Sequence, residues 1–232
     1  MPFDSVKALA FDVFGTVVDL RGSLPRQCEQ FGLRHGIVRA WQAVAADWIS
    51  EYLNAIDAIL AGAPFRTVDI LTREALEKIV GLHDLSSLTA PEKNELNLAW
   101  RRLDPWPDAV AGLQRLRGRF QIVTLANGNV SLLRDIASYA GLPWHQILSA
   151  AVVKRYKPDA AVYEYGIVSL GFEPGEIMMV AAHSYDLDAA KKPGGMMTAF
   201  VMRPGEDDGQ SAVTTPDVRA DDFNDLADQL LV

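Results

Sequence analysis

Lys7-Ala8-Leu9-Ala10-Phe11-Asp12-Val13-Phe14-Gly15-Thr16 is the stretch that decides the fold. A short apolar run that ends on an acid and stops at Gly-Thr reads as a buried strand running into a loop. Comparable runs recur downstream with helical patterns between them. Gln121-Ile122-Val123-Thr124-Leu125 precedes Ala126-Asn127-Gly128, and Ile177-Met178-Met179-Val180 precedes Ala181-Ala182-His183. Thr198-Ala199-Phe200-Val201 follows Gly194-Gly195. This alternation after residue 105 predicts right-handed βαβ units, hence an α/β fold whose mostly parallel sheet carries helices on both faces.

Residues 18 to 104 read differently. Val38 to Leu60, Val68 to Val80 and Glu92 to Leu103 space their apolar residues as helices do, and no strand pattern interrupts them. Leu103-Asp104-Pro105-Trp106-Pro107-Asp108 then closes the segment with two prolines. The predicted division is an α/β domain made of residues 1–17 and 105–232, with an all-helical domain, 18–104, inserted after the first strand. Residues 204–216 are polar enough to be expected as a mobile loop.

Of the 232 residues, 49% are hydrophobic and 22% charged, the proportions of a folded globular chain. The formal net charge of -8 argues against a nucleic-acid or membrane-surface partner, since anionic phosphates repel such a surface. A single cysteine, Cys28, rules out an intrachain disulfide and any cysteine-based zinc site; its helical surroundings suit a structural thiol. The N-terminus has no signal-peptide pattern, and no apolar run approaches the roughly 20 residues that span a bilayer. A soluble, cytoplasmic protein is expected.

In parallel sheets the binding crevice lies beyond the carboxyl ends of the strands. Those positions hold Asp12, Phe14, Thr16, Asn127, Lys157, His183 and Asp186. Each has a plainer reading beside a functional one. Asp12 suits loop capping as well as chemistry, although Gly15 lets backbone N–H groups approach a ligand and Thr16 adds a hydroxyl. Lys157, ahead of Pro158 at a helix start, is either a surface lysine or a cation aimed at the crevice. Asp186 opens a helix, where an acid commonly serves as N-cap.

Taken together, these residues resemble the haloacid dehalogenase superfamily, and within it the type II 2-haloacid dehalogenases. Phe11 to Thr16 is similar to the nucleophile motif, Leu125 to Asn129 to the second, Tyr156-Lys157-Pro158-Asp159 to the third and Val180 to Asp186 to the fourth. The resemblance runs through nearly the whole chain. It implies a Rossmann-like core with a parallel sheet and an inserted helical cap of four-helix type. It further implies two-step catalysis, with Asp12 displacing halide from a short 2-haloacid to form an ester that water then opens. Asp186 would hold Lys157 and activate the water, with His183 near enough to share that role. Thr16 and Asn127 would contact the nucleophile, substrate or halide. Phe14 and Tyr163 would line the pocket together with cap aromatics such as Trp48, although Tyr163 also suits an ordinary helix face. A homodimer is the common assembly of such proteins.

Phosphatases of the superfamily carry an acid at the position of Phe14 and a magnesium-holding acid at that of Ala182. Without these carboxylates neither leaving-group protonation nor a divalent cation is expected, so the resemblance implies no metal and no cofactor. Two departures concern the substrate. The dehalogenases place an arginine shortly after a cap tryptophan; here Gln42 follows Trp41 and Ile49 follows Trp48. Arg39, one turn earlier, is expected to face solvent. Ala126 stands where a substrate-binding serine is frequent. Two carboxylates about 5 Å apart repel by about 3 kcal/mol at an effective dielectric of about 20, so a missing cation matters. Another carbon–X bond hydrolase on the same scaffold, and a homologue without dehalogenase activity, are the alternatives.

Overall fold

The computed structural model describes residues 3–207 and 215–231. Six parallel strands form one sheet in the order β3-β2-β1-β4-β5-β6. They are β1 (Ala8–Phe11), β2 (Gln121–Ala126), β3 (Gln146–Ser149), β4 (Ile177–Ala181), β5 (Met197–Val201) and β6 (Val218–Ala220). β1 is central, in register with β2 on one side and β4 on the other, and every residue of it is buried. Successive side chains point to opposite faces, which explains the Lys7-to-Phe11 pattern. Leu9 and Phe11 join the larger core, whereas Ala8 and Ala10 join the smaller one on the other face.

Between β1 and β2 the chain forms α1 (Leu20–His35), α2 (Trp41–Leu60), α3 (Val68–Ile79) and α4 (Ala90–Asn97), the four α-helices of an inserted cap. α5 (Ala109–Arg117), α6 (Val130–Ala140), α7 (Ala160–Leu170), α8 (Ser184–Gly194) and α9 (Phe223–Leu230) cover the sheet. Trp48 and Trp100 meet edge to face inside the cap, their ring centroids 5.9 Å apart. Cys28 is buried in α1, and burial pushes its thiol up to about 12, an inert packing role.

Several boundaries differ from the sequence pattern, each for a local reason. The third expected cap helix starts at Ala90 rather than Glu92, because Thr89 and Glu92 form a reciprocal capping box. It then tightens into a 3-10 turn at Leu98–Arg101. α2 starts at Trp41, leaving Val38 exposed in the preceding loop. β3 and β6 carried no obvious strand signal. Both are short edge strands with a polar residue facing water, so neither needs a continuous apolar run. The loop expected over 204–216 lies partly outside the described residues.

The two passages between sheet and cap run side by side. Trp106 N–H donates to the Val17 carbonyl at 3.0 Å, and Asp19 N–H to the Asp104 carbonyl at 3.0 Å. Among the described residues no helix is long and apolar enough to cross a membrane.

Candidate active site

The chain leaves β1 for the outer strands on one side, then returns to β4 on the other. The crevice at that reversal is where a parallel sheet collects ligands. Asp12 is the first residue beyond β1, and its N–H donates to the Val180 carbonyl at 3.0 Å. The carboxylate is held asymmetrically. Oδ2 accepts from Thr16 Oγ1 at 2.8 Å and lies 3.2 Å from His183 Nδ1. Oδ1 meets Lys157 Nζ at 3.4 Å. Thr16 Oγ1 in turn accepts from Ala182 N–H at 3.0 Å, joining the ends of β1 and β4. Arg203 anchors the same loop from outside, donating through Nε to the Thr16 carbonyl at 2.8 Å while pairing two-pronged with Asp108.

Behind Asp12 lies a dry charge pair. Lys157 Nζ is 2.7 Å from Asp186 Oδ2, and Tyr163 donates its hydroxyl to Asp186 Oδ1 at 2.6 Å. Lys157 is 2% exposed, Asp186 and Tyr163 not at all. Lys157 precedes a cis peptide to Pro158, and its N–H donates to Asn127 Oδ1 at 2.9 Å. Asp186 sits in the first turn of α8, whose N-cap position is His183, so its carboxylate caps no helix.

Burial opposes the charged form of Asp12, but Lys157, His183 and Thr16 outweigh it and hold the carboxyl well below its ordinary range. Burial likewise opposes the His183 imidazolium; hydrogen bonds to Asp12 and Glu206, with their charges, raise it to about 10. Asp186 is pushed up by burial and by the Asp12 charge, against the pull of Lys157. Burial and the Asp186 charge raise Tyr163 well above the usual phenol range, so it remains a hydroxyl donor.

Asp12 opens onto a cavity of about 240 Å³. A cavity of that size suits a small molecule. Phe14, Gly15, Asn127, His183, Tyr185 and Glu206 form its wall on the sheet side; Leu20, Arg21, Ile49, Tyr52 and Leu53 close it from the cap. Gly15 has φ +81, a backbone conformation that residues with a side chain rarely adopt, which favours glycine at this turn beside Asp12.

Of the residues expected in the site, Asp12, Thr16, Lys157, Asp186 and His183 form one hydrogen-bonded cluster, and Phe14 and Asn127 face the cavity. Two expectations need correction. Tyr163 lies beneath Asp186 rather than on the cavity wall, because its hydroxyl satisfies a buried carboxylate. Trp48 is wholly buried in the cap, its indole N–H donating to the Thr72 carbonyl at 2.7 Å. Ile49 and Tyr52, the next residue and the next turn, take the wall instead. Arg39 stays at the surface on the carbonyls of His83 and Asp84, at 3.0 and 2.7 Å.

Arg21 and Glu206 escaped the sequence reading, and they line the cavity together. Arg21 follows the first motif by five residues, and that proximity to Thr16 was the available signal. Glu206 lay in a polar stretch with no pattern to mark it.

A magnesium ion does not fit these residues. Phe14 and Ala182 offer no side-chain carboxylate, and the groups around Asp12 are an amine, a hydroxyl and an imidazole that already engage its oxygens. Among the described residues no group of three or more His, Cys, Asp or Glu side chains is placed to hold a metal ion.

The family model for haloacid dehalogenase-like hydrolases matches residues 6–194. (S)-2-haloacid dehalogenase 4A of Burkholderia cepacia is 29% identical over 205 residues, covering 87% of this chain and 85% of that protein. The crystal structure of a defluorinating L-2-haloacid dehalogenase superposes with a TM-score of 0.91 at 40% identity, covering 98% of this chain and 96% of that one. A second L-2-haloacid dehalogenase structure gives 0.90 at 36% identity, covering 97% and 99%.

Proposed function

The chain belongs to the haloacid dehalogenase-like hydrolases, and from that membership we propose that it hydrolyses the carbon–halogen bond of a short 2-haloacid through an ester on Asp12. The observation that carries this reading is the uneven grip on Asp12. Oδ2 is anchored by Thr16 and His183, whereas among the described residues Oδ1 has only the 3.4 Å contact with Lys157. A lone pair not engaged by a close donor is the better nucleophile, and the depressed pKa keeps the group ionised. The cavity size suits a haloacetate or 2-halopropionate, and the names of the similar dehalogenases point to the same class.

In the first step Oδ1 attacks the α-carbon from the side opposite the halogen. The C–O bond forms as halide departs with the bonding pair, which needs no acid at position 14. Residues 18–104 act as the cap domain over a core of 1–17 and 105–232, with Leu20, Ile49, Tyr52 and Leu53 shielding the reacting carbon from bulk water.

In the second step water adds to the Asp12 carboxyl carbon. Asp186 is poorly placed to take its proton, since both oxygens already accept hydrogen bonds and the group is wholly buried. Its part is to hold Lys157 against Asp12. His183 is better placed. Esterification removes the Asp12 charge, one of two that retain the imidazolium proton, so that proton passes to solvent. Neutral imidazole then takes one proton of the attacking water and passes it to the departing alkoxide, giving a 2-hydroxy acid and Asp12 as a carboxylic acid, whose proton moves to His183 and restores the carboxylate–imidazolium pair.

The test is halide release from chloro-, bromo- and fluoroacetate and from both enantiomers of 2-chloropropionate. Release is expected from at least one, with Asp12→Asn folded and slower by about three orders of magnitude or more, as for loss of a covalent nucleophile. A fully active Asp12→Asn enzyme, or no halide from any substrate, overturns the proposal.

A further inference from the structure

The charged groups around the cavity balance before any substrate arrives. Asp12, Asp186 and Glu206 carry three negative charges; Lys157, Arg21 and the His183 imidazolium carry three positive ones. A 2-haloacid is itself an anion and must approach another carboxylate to react. With no spare cation lining the cavity among the described residues, its binding there is unfavourable unless an internal carboxylate gives way.

The three carboxylates are not equally held. Asp12 and Asp186 each have a contact of 2.8 Å or less and sit at the ends of β1 and in α8. Glu206 meets His183 Nε2 at 3.3 Å and Arg21 Nε at 3.5 Å, both beyond the usual 2.7–2.9 Å of a charge-assisted bond. It sits on a turn after β5, where its N–H donates to the Arg203 carbonyl at 3.3 Å. Arg203 is fixed by Asp108 and Thr16, so the turn has a firm base and a loosely held tip. Arg21, on the first turn of α1, faces Glu206 across the cavity mouth with half its side chain exposed.

Resting on the dehalogenase reading above, we propose that Arg21 is the receptor for the substrate carboxylate, and that Glu206 is an internal carboxylate occupying that receptor until substrate displaces it. The guanidinium fork suits a carboxylate held two-pronged, a geometry the present contact through Nε does not use. Moving Glu206 off Arg21 leaves one unbalanced cation at the mouth, which a monoanionic substrate neutralises. Arg21 thereby supplies the charge that the cap positions Gln42 and Ile49 lack.

The experiment measures binding of propionate, a short carboxylate with no halogen to lose, by calorimetry at pH 7. Wild type, Arg21→Met, Arg21→Lys and Glu206→Gln are compared, with thermal unfolding as the check on folding. Arg21→Met is expected to weaken propionate about tenfold or more, as for loss of a charge-assisted pair. Arg21→Lys, which keeps the charge and loses the fork, should fall between. Glu206→Gln should tighten propionate several-fold, and KM for 2-haloacids should follow the same order with smaller changes in kcat. Unchanged propionate affinity in folded Arg21→Met overturns the proposal, as does weaker binding in Glu206→Gln, which would make Glu206 a support and not a competitor. Bromide inhibition weakened by Arg21→Met without any effect on propionate also overturns it, reassigning Arg21 to the halide. Propionate bound through Arg21 without halide release from any haloacid refutes the dehalogenase reading and leaves the carboxylate receptor standing.

Discussion

The two sides of Asp12 are built on different terms. Behind it, Lys157, Asp186 and Tyr163 are dry, joined at 2.6–2.7 Å and carried by the core. In front of it, His183, Glu206 and Arg21 lie along the cavity, Arg21 the most open to solvent, spaced at 3.2–3.5 Å and drawn from the N-cap of α8, a turn and the cap. A buried charge must be fully partnered, so the rear can hold only one arrangement. A half-wet charge is tolerated with loose partners, and loose partners can be exchanged for a ligand. The rear holds Asp12 in one position; on the proposed reading, the front is where a substrate would be received.

Substitutions on the two sides should therefore fail in different ways. The largest effect is expected from Lys157→Met, which leaves Asp12 and Asp186 facing each other without their cation. A loss of about 3–5 kcal/mol on chemical denaturation is expected, the cost of breaking a buried pair. A variant as stable as wild type would remove the distinction between rear and front. Tyr163→Phe comes next. It deletes one of the two donors to buried Asp186 and should cost about 1–3 kcal/mol, with a fall in kcat and little change in KM. A change confined to KM would return Tyr163 to the cavity wall.

A pH-dependent effect sharpens the front. The His183 imidazolium is stabilised by folding, its pKa rising from 6.5 to about 10. The margin of wild type over His183→Gln should be complete below pH 6.5, shrink as pH rises and vanish above about pH 10. Asp12 contributes in the opposite sense, its share present above pH 3.8 and lost as pH falls further. Melting temperatures of the two proteins measured from pH 6 to 10.5 check this, and a constant difference would mean that His183 is not charged in the fold.

Much of the rear was legible in the chain. Asp12, Lys157 and Asp186 follow strand or helix-start patterns, and a parallel sheet brings such positions together whatever lies between them. The front was not. Arg21 and Glu206 come from the start of a cap helix and from a pattern-free turn, and neither periodicity nor turn chemistry links residues so far apart. Tyr163 and Trp48 were legible as aromatics on helices, but which face each presents depends on the neighbours that need their polar tips. A buried carboxylate claimed one and a backbone carbonyl the other.

By itself the sequence determined the parallel α/β core, a helical insertion and the acid at the end of the first strand, because strand and helix periods are local properties of side chains. Only the tertiary structure decided which oxygen of Asp12 is held less closely, that both oxygens of Asp186 are engaged by Lys157 and Tyr163, and that Arg21 meets Glu206 at the mouth. Those outcomes depend on distances of a few ångströms between segments far apart in the chain, set by packing and charge pairing that no local pattern encodes.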